Sequence, residues 1–370
     1  MRTVEVNRAD IRATRVVDEP TPEPGPGEAL LRVDLFGLTA NNVTYAALGD
    51  LLSYWRFFPA ADGWGRVPVW GFAEVVASRA EGVATGDRVF GYLPMSTHLV
   101  VRPDRAGPTG FVDAAPHRRE LPAAYNRYRT GPVEGGEPAY ALLWPLFVLA
   151  FLVADHLDEH KLFGADQALL ASASSRTARA IAHLLRQRGD GRVLGLTSAG
   201  RVAAMRDGGE YHAVAAYDRP ADLPDGATVL VDMSGNPQVA SAVADRYGPA
   251  LVRSIAVGAT HWDTVRPQGT VRREDTRDAA RPGDATRPGG TGDAVFFFAP
   301  DQLRHRAEQW GREELESRMA KAWNGFVAAA GGWLRIDAGH GPDAVLAAYH
   351  EVVSGAADPA VGRVLSLHAE

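Results

Sequence analysis

The sequence of 370 residues contains no cysteine, and this absence removes several kinds of chemistry at once. Without thiols the chain cannot form disulfides, iron–sulfur clusters, cysteine-ligated zinc sites or a thiolate nucleophile. Lysine is almost as scarce: Lys161 and Lys321 are the only two, so Schiff-base chemistry has few candidates. All other basic side chains except histidine are arginine.

The chain also lacks an excess of positive charge. Its formal net charge is −6, which argues against a nucleic-acid binder or an anionic-membrane binder, because both usually present a basic surface. The longest uncharged stretch, residues 138–154, contains Pro145 and is short for a membrane span, so we expect a buried helix there. Residues 1–26 are charged and hold no apolar run. These features predict a cytoplasmic protein.

The first part of the chain has the pattern of a β-rich domain. Segments 29–35, 67–77, 86–92 and 99–102 are short, largely apolar stretches bounded by turn residues, and each is typical of a strand. Short strands punctuated by glycine and proline predict a small barrel or sandwich.

Strands alternate with helices between residues 168 and 257, and among these elements we expect helices at 176–188 and 237–247 and a strand at 228–232. This alternation implies a parallel sheet with helices on both faces, in which ligands bind beyond the carboxyl ends of the strands. Residues 266–294 interrupt the pattern, because they are rich in Arg, Asp, Gly, Pro and Thr and hold few large apolar side chains. We interpret them as a mobile loop, either an inert insertion or an arginine-rich lid.

The turn after the first strand of this sheet carries the most informative chemistry. It contains Ser172, Ser174, Ser175, Arg176 and Thr177. Hydroxyls can cap the next helix and donate to phosphate oxygens, and arginine adds a bidentate phosphate donor. A dinucleotide site needs such a turn, although the Gly-x-Gly-x-x-Gly pattern is absent here. The segment is therefore either a pyrophosphate site or a plain serine N-cap.

The second strand of the sheet ends at Thr197 and Ser198, with Arg201 one turn further on. No acid stands at this position, where a cofactor without a 2′-phosphate usually meets Asp or Glu. The hydroxyls and the guanidinium suit a 2′-phosphate, so NADPH is favoured over NADH; the alternative is a solvated loop with an incidental arginine. Tyr217, at the end of the third strand, either stacks beside an adenine or belongs to the core.

Two further loops follow strands at the same predicted edge. Ser234 and Gly235 follow the fourth strand, and Gly258 follows the fifth. Small residues allow close approach of the backbone to a ligand. His261 is a candidate proton donor in the last of these loops, although a lone histidine is also commonly structural.

The order of motifs along the chain resembles the medium-chain dehydrogenase/reductase superfamily. The resemblance rests on segments 37–42, 69–76 and 86–92, on Gly49, and on the closing segment 344–367. It is strongest to the zinc-independent quinone and enoyl reductases, with which the lack of cysteine is consistent. More narrowly, segments 172–178, 144–147 and 297–300 are similar to a bacterial subfamily whose domain has no assigned function.

This resemblance implies an α/β fold with a GroES-like β-barrel domain and a Rossmann domain of doubly wound parallel sheet. It places the GroES-like domain at 1–135 and 295–370, the Rossmann domain at 136–265 and the mobile loop at 266–294. NADPH and substrate are expected in the cleft between the domains. In relatives the phosphate turn reads Ala-Ser-Gly-Gly-Val-Gly; here Ser175, Arg176 and Ala178 replace the glycines.

The resemblance also directs attention to residues 41–55 for the proton donor, because some enoyl reductases use a tyrosine in this region. Tyr54 is nearest in spacing, Tyr45 is the alternative, and Asn42 is a further candidate. Each aromatic residue could equally be a packing residue. A preorganised donor is needed because charge develops on the substrate oxygen during hydride transfer.

These observations predict a metal-independent enzyme that transfers hydride from NADPH to an activated C=C or C=O of an enoyl, quinone or ketone substrate, in secondary metabolism. The alternatives are a non-redox lyase, isomerase or cyclase on a reductase scaffold, and an NADPH-sensing protein without catalysis. The expected partners are a small-molecule substrate and a second copy of the chain in a homodimer, with neither nucleic acid nor membrane.

Overall fold

The computed structural model describes residues 1–189, 191–257, 272–273 and 294–369. The predicted mobile loop at 266–294 lies outside the described residues except for 272–273 and 294. The strands, in chain order, are β1 (Arg2–Asn7), β2 (Thr14–Asp18), β3 (Ala29–Leu38), β4 (Trp64–Gly65), β5 (Pro68–Ser78), β6 (Arg88–Pro94), β7 (His98–Val101), β8 (Pro103–Gly107), β9 (Gly110–Asp113), β10 (Arg127–Thr130), β11 (Gln167–Ala171), β12 (Arg192–Thr197), β13 (Ala213–Ala216), β14 (Thr228–Asp232), β15 (Leu251–Ala256), β16 (Arg272–Arg273), β17 (Val295–Phe296), β18 (Arg335–His340) and β19 (Val361–Ser366). The helices are α1 (Ala40–Ala47), α2 (Gly136–Glu159), α3 (Arg176–Arg188), α4 (Val202–Asp207), α5 (Pro237–Tyr247), α6 (Ala299–Trp310), α7 (Arg312–Ala330) and α8 (Gly341–Val353).

The chain forms two compact units. The first combines Met1–Pro145 with Val327–Glu370, and the second comprises Leu146–Phe326. In the first unit, a mainly antiparallel sheet has the order β18-β19-β3-β5-β6-β10-β9-β8, with β7 paired to β3, and a smaller sheet has the order β2-β1-β4. The predicted strands at 29–35, 67–77, 86–92 and 99–102 correspond to β3, β5, β6 and β7, so the β-rich interpretation is confirmed.

The second unit is built on a parallel sheet with the order β13-β12-β11-β14-β15-β17-β16. Counted along the chain, these strands have the order 3-2-1-4-5-7-6, and the first five positions are those of a dinucleotide-binding Rossmann sheet. Its strands are apolar because helices cover both faces: Leu169, Leu194, Leu230 and Val243 of helix α5 are all buried in one core cluster. The predicted parallel sheet is confirmed.

Helix α2 is the apolar segment singled out in the sequence. By length and composition it could cross a membrane, but 83% of its most apolar window is buried inside the protein. Phe147 packs against Trp323 and Phe326 of α7, with ring centroids 5.3 and 5.5 Å apart. The segment is therefore a core helix, as predicted.

Candidate active site

The turn between β11 and α3 is held tightly against the neighbouring strand. Ser172 has φ +61°, a left-handed conformation that side chains with a Cβ rarely adopt. Its carbonyl accepts a hydrogen bond from the Ser175 N–H at 2.7 Å, and the Ala173 N–H donates to the Leu196 carbonyl at 2.8 Å. A Cβ on Gly195 of β12 would lie only 2.8 Å from the Ala173 Cβ, so the two segments pack in close contact.

Helix α3 begins directly after this turn. Ser175 is its N-cap, and the Ser175 Oγ accepts a hydrogen bond from the Ala178 N–H at 3.2 Å. The serine-cap interpretation is thus confirmed, but it does not exclude a phosphate site, because the start of a 13-residue helix still presents backbone N–H groups and a positive dipole end. The side chains of residues 174–177 are all half-buried, so each of them is accessible to a bound ligand.

The end of β12 joins the same group of side chains. The buried Thr197 hydroxyl donates to the Ser174 Oγ at 3.1 Å. Ser174 is the acceptor in this bond, so its own hydroxyl hydrogen is available to a ligand oxygen. Ser198 is exposed and Arg201 is half-buried in the short 3₁₀ turn that follows. The structure therefore places the predicted 2′-phosphate residues next to the predicted pyrophosphate turn.

Tyr217, at the end of β13, also belongs to this edge of the sheet. Its hydroxyl lies 3.2 Å from the Ser172 Oγ, so the end of β13 lies next to the turn between β11 and α3. Burial raises the pKa of Tyr217, and the negative charge of Asp232 raises it further. The hydroxyl thus stays protonated near neutral pH and can donate a hydrogen bond.

The loop after β14 is ordered by Asp232 rather than open to solvent. The Asp232 carboxylate accepts from the Ser234 N–H at 2.8 Å and from the Ser234 hydroxyl at 2.6 Å. Ser234 is fully buried, so its hydroxyl serves the loop itself. Gly235 has φ +64°, a conformation that favours glycine, and Asn236 then caps α5. Sequence reasoning did not assign a role to Asp232, because its effect depends on a loop geometry that no motif encodes.

Gly258 and His261 lie outside the described residues, so their predicted roles stay predictions. The remaining candidates, Tyr54, Tyr45 and Asn42, belong to the first unit. A short 3₁₀ helix, Tyr54–Arg56, positions Tyr54. The Trp55 ring fits closely beside two glycines: a Cβ would lie 2.2 Å from the ring at Gly49 and 2.3 Å at Gly65. Gly49, on which the sequence resemblance partly rests, is therefore glycine because the Trp55 ring leaves no room for a Cβ.

Four tyrosines form one cluster in the first unit, which we call the tyrosine cluster: Tyr45, Tyr54, Tyr92 and Tyr125. The Tyr45 and Tyr54 ring centroids are 4.6 Å apart, and those of Tyr92 and Tyr125 are 4.8 Å apart. The Tyr54 and Tyr125 hydroxyls lie 3.3 Å from each other. The buried Tyr92 hydroxyl lies near Tyr45 but has no hydrogen bond of ordinary geometry in the part of the chain that the structure describes.

The hydroxyl of Tyr45 is oriented by donors on two sides. Asn41 Nδ2 donates to it at 2.7 Å and Trp70 Nε1 at 3.4 Å, so the Tyr45 oxygen acts as acceptor and its own proton can be given away. Burial raises the pKa of both Tyr45 and Tyr54 above the ordinary value of 10.0. Both phenols are therefore neutral donors at physiological pH.

Asn42 makes hydrogen bonds with groups other than these tyrosine hydroxyls. Its Oδ1 accepts from the Thr39 N–H at 2.8 Å in a capping box of α1, and its Nδ2 donates to the Pro68 carbonyl at 2.7 Å. Its side chain is buried and both ends of its amide are engaged, which favours a structural role. Sequence reasoning did not single out Tyr92 or Trp70. Only the three-dimensional contact between residues 71 positions apart reveals the Tyr54–Tyr125 pair.

The strained turn gives a first testable prediction. Replacing Ser172 with glycine or with alanine removes the hydroxyl in both cases, and the two variants differ only in the Cβ. We expect the free energy of unfolding of Ser172→Gly to be about 1 kcal/mol higher than that of Ser172→Ala, because the alanine Cβ destabilises a left-handed backbone. At most other positions the alanine variant would be the more stable of the two. Urea unfolding of the pair measures this difference, and an alanine variant that is the more stable would contradict the turn geometry.

The fold of the two units is shared with solved structures. Solved structures of the same fold cover nearly the whole chain at low identity. They include CurA from Vibrio vulnificus in complex with NADPH (14% identity, 100% of both chains, TM-score 0.62), the CurK enoyl reductase (15%, 95% of both chains, TM-score 0.54) and the quinone oxidoreductase from Coxiella burnetii (14%, 99% of both chains, TM-score 0.53). The chain shares the fold of these structures, a GroES-like domain combined with a Rossmann domain, as the sequence resemblance implied.

Residues 36–358 match the sequence family described as "Protein of unknown function (DUF2855)". The chain belongs to this family. The comparison with curated proteins gives no significant match.

Proposed function

We propose that the protein is an NADPH-dependent reductase. The observation that carries this proposal is one edge of the parallel sheet, whose first five strands have the order 3-2-1-4-5. This edge carries the start of α3, the Ser174–Thr197 hydroxyl pair and two arginines, Arg176 and Arg201. Hydroxyl, guanidinium and helix N–H donors are the groups that bind phosphate esters in proteins. NADPH bound to CurA, a protein of the same fold, supports the same choice of cofactor.

The residues present fit a dinucleotide cofactor. Ser174 would hold the pyrophosphate with its hydroxyl hydrogen, Thr177 would add a hydroxyl at the first turn of α3, and the helix dipole would favour the negative charge. Ser198 and Arg201 would hold the 2′-phosphate, since Thr197 and Ser198 stand where NADH-specific proteins carry an acid. Ser172, Ser175, Tyr217, Ser234 and Gly235 would shape these loops through the hydrogen bonds and turns described above.

The chemistry supplied by bound NADPH is hydride transfer. The chain's own part is to bind the substrate oxygen and deliver a proton to it. We propose Tyr54 as the donor, with Tyr45 as the alternative, because each holds a neutral phenol proton in a buried, hydrogen-bonded position. A phenol donor needs no metal ion, so we propose metal-independent reduction of an activated C=C or C=O in an enoyl, quinone or ketone substrate. A cytoplasmic homodimer is part of the same proposal.

The cofactor preference gives a direct test of the proposal. Titration of the protein with NADPH and with NADH, followed by nicotinamide fluorescence, should show tighter binding of NADPH. We expect Arg201→Ala to weaken NADPH about tenfold or more and NADH little, because only NADPH carries the 2′-phosphate that this guanidinium would contact. Arg318→Ala is the matched control, since Arg318 forms an exposed helix pair with Glu314 and should leave both affinities unchanged.

The outcomes separate the competing functions. An absence of NADPH binding at millimolar cofactor would exclude the reductase. Binding with substrate turnover but no change in nicotinamide absorbance would indicate a non-redox enzyme, a possibility motivated by the three replaced glycines. Binding without turnover of any enone, quinone or ketone would indicate a sensor. NADPH oxidation with one of these substrate classes supports the proposal.

A further inference from the structure

The last turns of α2 carry a group of side chains that the proposed reductase does not use. His156, Glu159 and His160 lie on one face of the helix, because residues three and four positions apart are neighbours on a helix surface. One potential ligand atom from each lies within 4.8 Å of the other two, and the two imidazole centroids are 4.4 Å apart. These residues belong to the second unit and are distinct from the hydroxyls and arginines at the phosphate edge.

The His160 ring is already oriented as a ligand. Its Nδ1 lies 2.9 Å from the His156 carbonyl oxygen, which can only accept, so Nδ1 is the donor. In the neutral ring the lone pair is then on Nε2. A backbone carbonyl that fixes the tautomer in this way is the usual outer-shell partner of a metal-ligating histidine.

The Glu159 carboxylate is held by groups from α6. Its Oε1 accepts from Arg306 Nη1 at 2.8 Å and lies 3.4 Å from His305 Nε2. Its Oε2 has a longer contact, 3.5 Å to Gln302 Nε2. The carboxylate is thus oriented through one oxygen, while the other makes the weaker contact and is the better placed to take an ion.

Charged side chains of both signs surround these residues, and they already pair with one another at Glu159. Arg306 pairs with Asp155 as well as with Glu159, so it keeps a partner if Glu159 turns to an ion. Glu159 and His160 are partly exposed and leave a route from solvent, whereas His156 is buried.

We propose that His156, Glu159 and His160 bind one divalent transition-metal ion, zinc or its analogues cobalt and nickel. Two imidazoles and a carboxylate are a ligand set that these ions favour over magnesium or calcium. Tetrahedral coordination with bonds of about 2.0–2.1 Å brings ligand atoms to about 3.3 Å from each other, a contraction that side-chain rotations can supply. Because Glu159 is bonded to α6, the ion would tie the end of α2 to that helix.

Cobalt binding tests this site without any assay of reductase activity. The full chain, prepared without a histidine tag and stripped with chelator, is titrated with Co²⁺ alone, and the visible d–d bands report nitrogen coordination. We expect saturation at one equivalent, competition by Zn²⁺, and at least tenfold weaker binding by His160→Gln and by Glu159→Gln. His340→Ala removes an exposed histidine of the first unit and should bind cobalt as the wild type does.

A buried position makes His156→Ala prone to disturb the fold, so its result counts only if far-ultraviolet circular dichroism matches that of the wild type. His160→Gln and Glu159→Gln alter partly exposed side chains and carry the test if it does not. Non-saturating cobalt binding by the wild type would overturn the proposal. Unchanged affinity in both of these variants, or an equal loss in His340→Ala, would also overturn it.

Discussion

Replacing Tyr54 with phenylalanine should lower kcat about 10²–10⁴-fold while leaving NADPH affinity unchanged. The substitution removes one hydroxyl and keeps the ring that packs against Tyr45 and Phe57. A positioned general acid contributes a factor of this size, because it supplies a proton as negative charge develops on the substrate oxygen. Steady-state NADPH oxidation with a quinone or an enone measures the loss.

Two matched variants make this result specific. Tyr125→Phe removes the hydroxyl that lies 3.3 Å from Tyr54 but leaves the proposed donor, so we expect a loss of less than about tenfold. Tyr45→Phe tests the alternative donor. If Tyr45→Phe shows the large loss and Tyr54→Phe does not, the roles are exchanged. Full activity in both variants would remove the tyrosine cluster from the mechanism.

The pH profile provides a second check on the same donor. Burial raises the pKa of Tyr54 above its ordinary value of 10.0, and a general acid works in its protonated form. The rate should therefore stay level from neutral pH to about pH 10 and fall only above that, as the phenol ionises. A fall centred near pH 7 would point instead to a histidine such as His261.

The parallel sheet could be predicted closely from sequence because its pattern is local. The predicted bounds 176–188, 228–232 and 237–247 are those of α3, β14 and α5. Each of these helices has a polar N-cap, Ser175 for α3 and Asn236 for α5, and each strand is a short apolar run buried on both faces. Local signals of this kind need no knowledge of distant contacts.

The parts that sequence reasoning missed depend on distant partners. Strand β18 carries Arg335, Asp337 and other polar residues and is a strand because it pairs with β19. The tyrosine cluster joins residues from three separate segments, and the serine turn is stabilised by Tyr217, 45 positions from Ser172. The serine-rich sequence of the turn did not reveal that the Ser174 hydroxyl pairs with that of Thr197 on the next strand.

Replacing Asp113 with asparagine should destabilise the protein by about 3–5 kcal/mol, the largest loss of stability that we expect from a single isosteric change. Asp113 and Arg118 form an ion pair, Nε to Oδ2 at 3.2 Å, in which both side chains are at least 98% buried. The other carboxylate oxygen accepts from the N–H groups of Arg102 and Ala115. Asparagine keeps the shape but leaves the buried guanidinium without a counter-charge.

Urea unfolding of a double-mutant cycle checks this expectation. The double variant Asp113→Asn with Arg118→Met removes both charges, so it should recover most of the loss seen in Asp113→Asn alone. Asp104→Asn is the control, because Asp104 pairs with Arg105 in an exposed position and should cost less than about 0.5 kcal/mol. A cost below 1 kcal/mol for Asp113→Asn would mean that the guanidinium finds solvent.

The position of this pair links stability to the proposed catalysis. The Arg118 guanidinium lies 4.7 Å from the Phe58 ring centroid and 5.7 Å from that of Phe57, and both rings pack in the core that contains Tyr54 and Tyr92. An uncompensated charge beneath these rings would be relieved by moving them, which would also displace the Tyr54 hydroxyl. We therefore expect Asp113→Asn to have a lower kcat even at temperatures at which this variant is fully folded. The double variant should regain kcat together with stability.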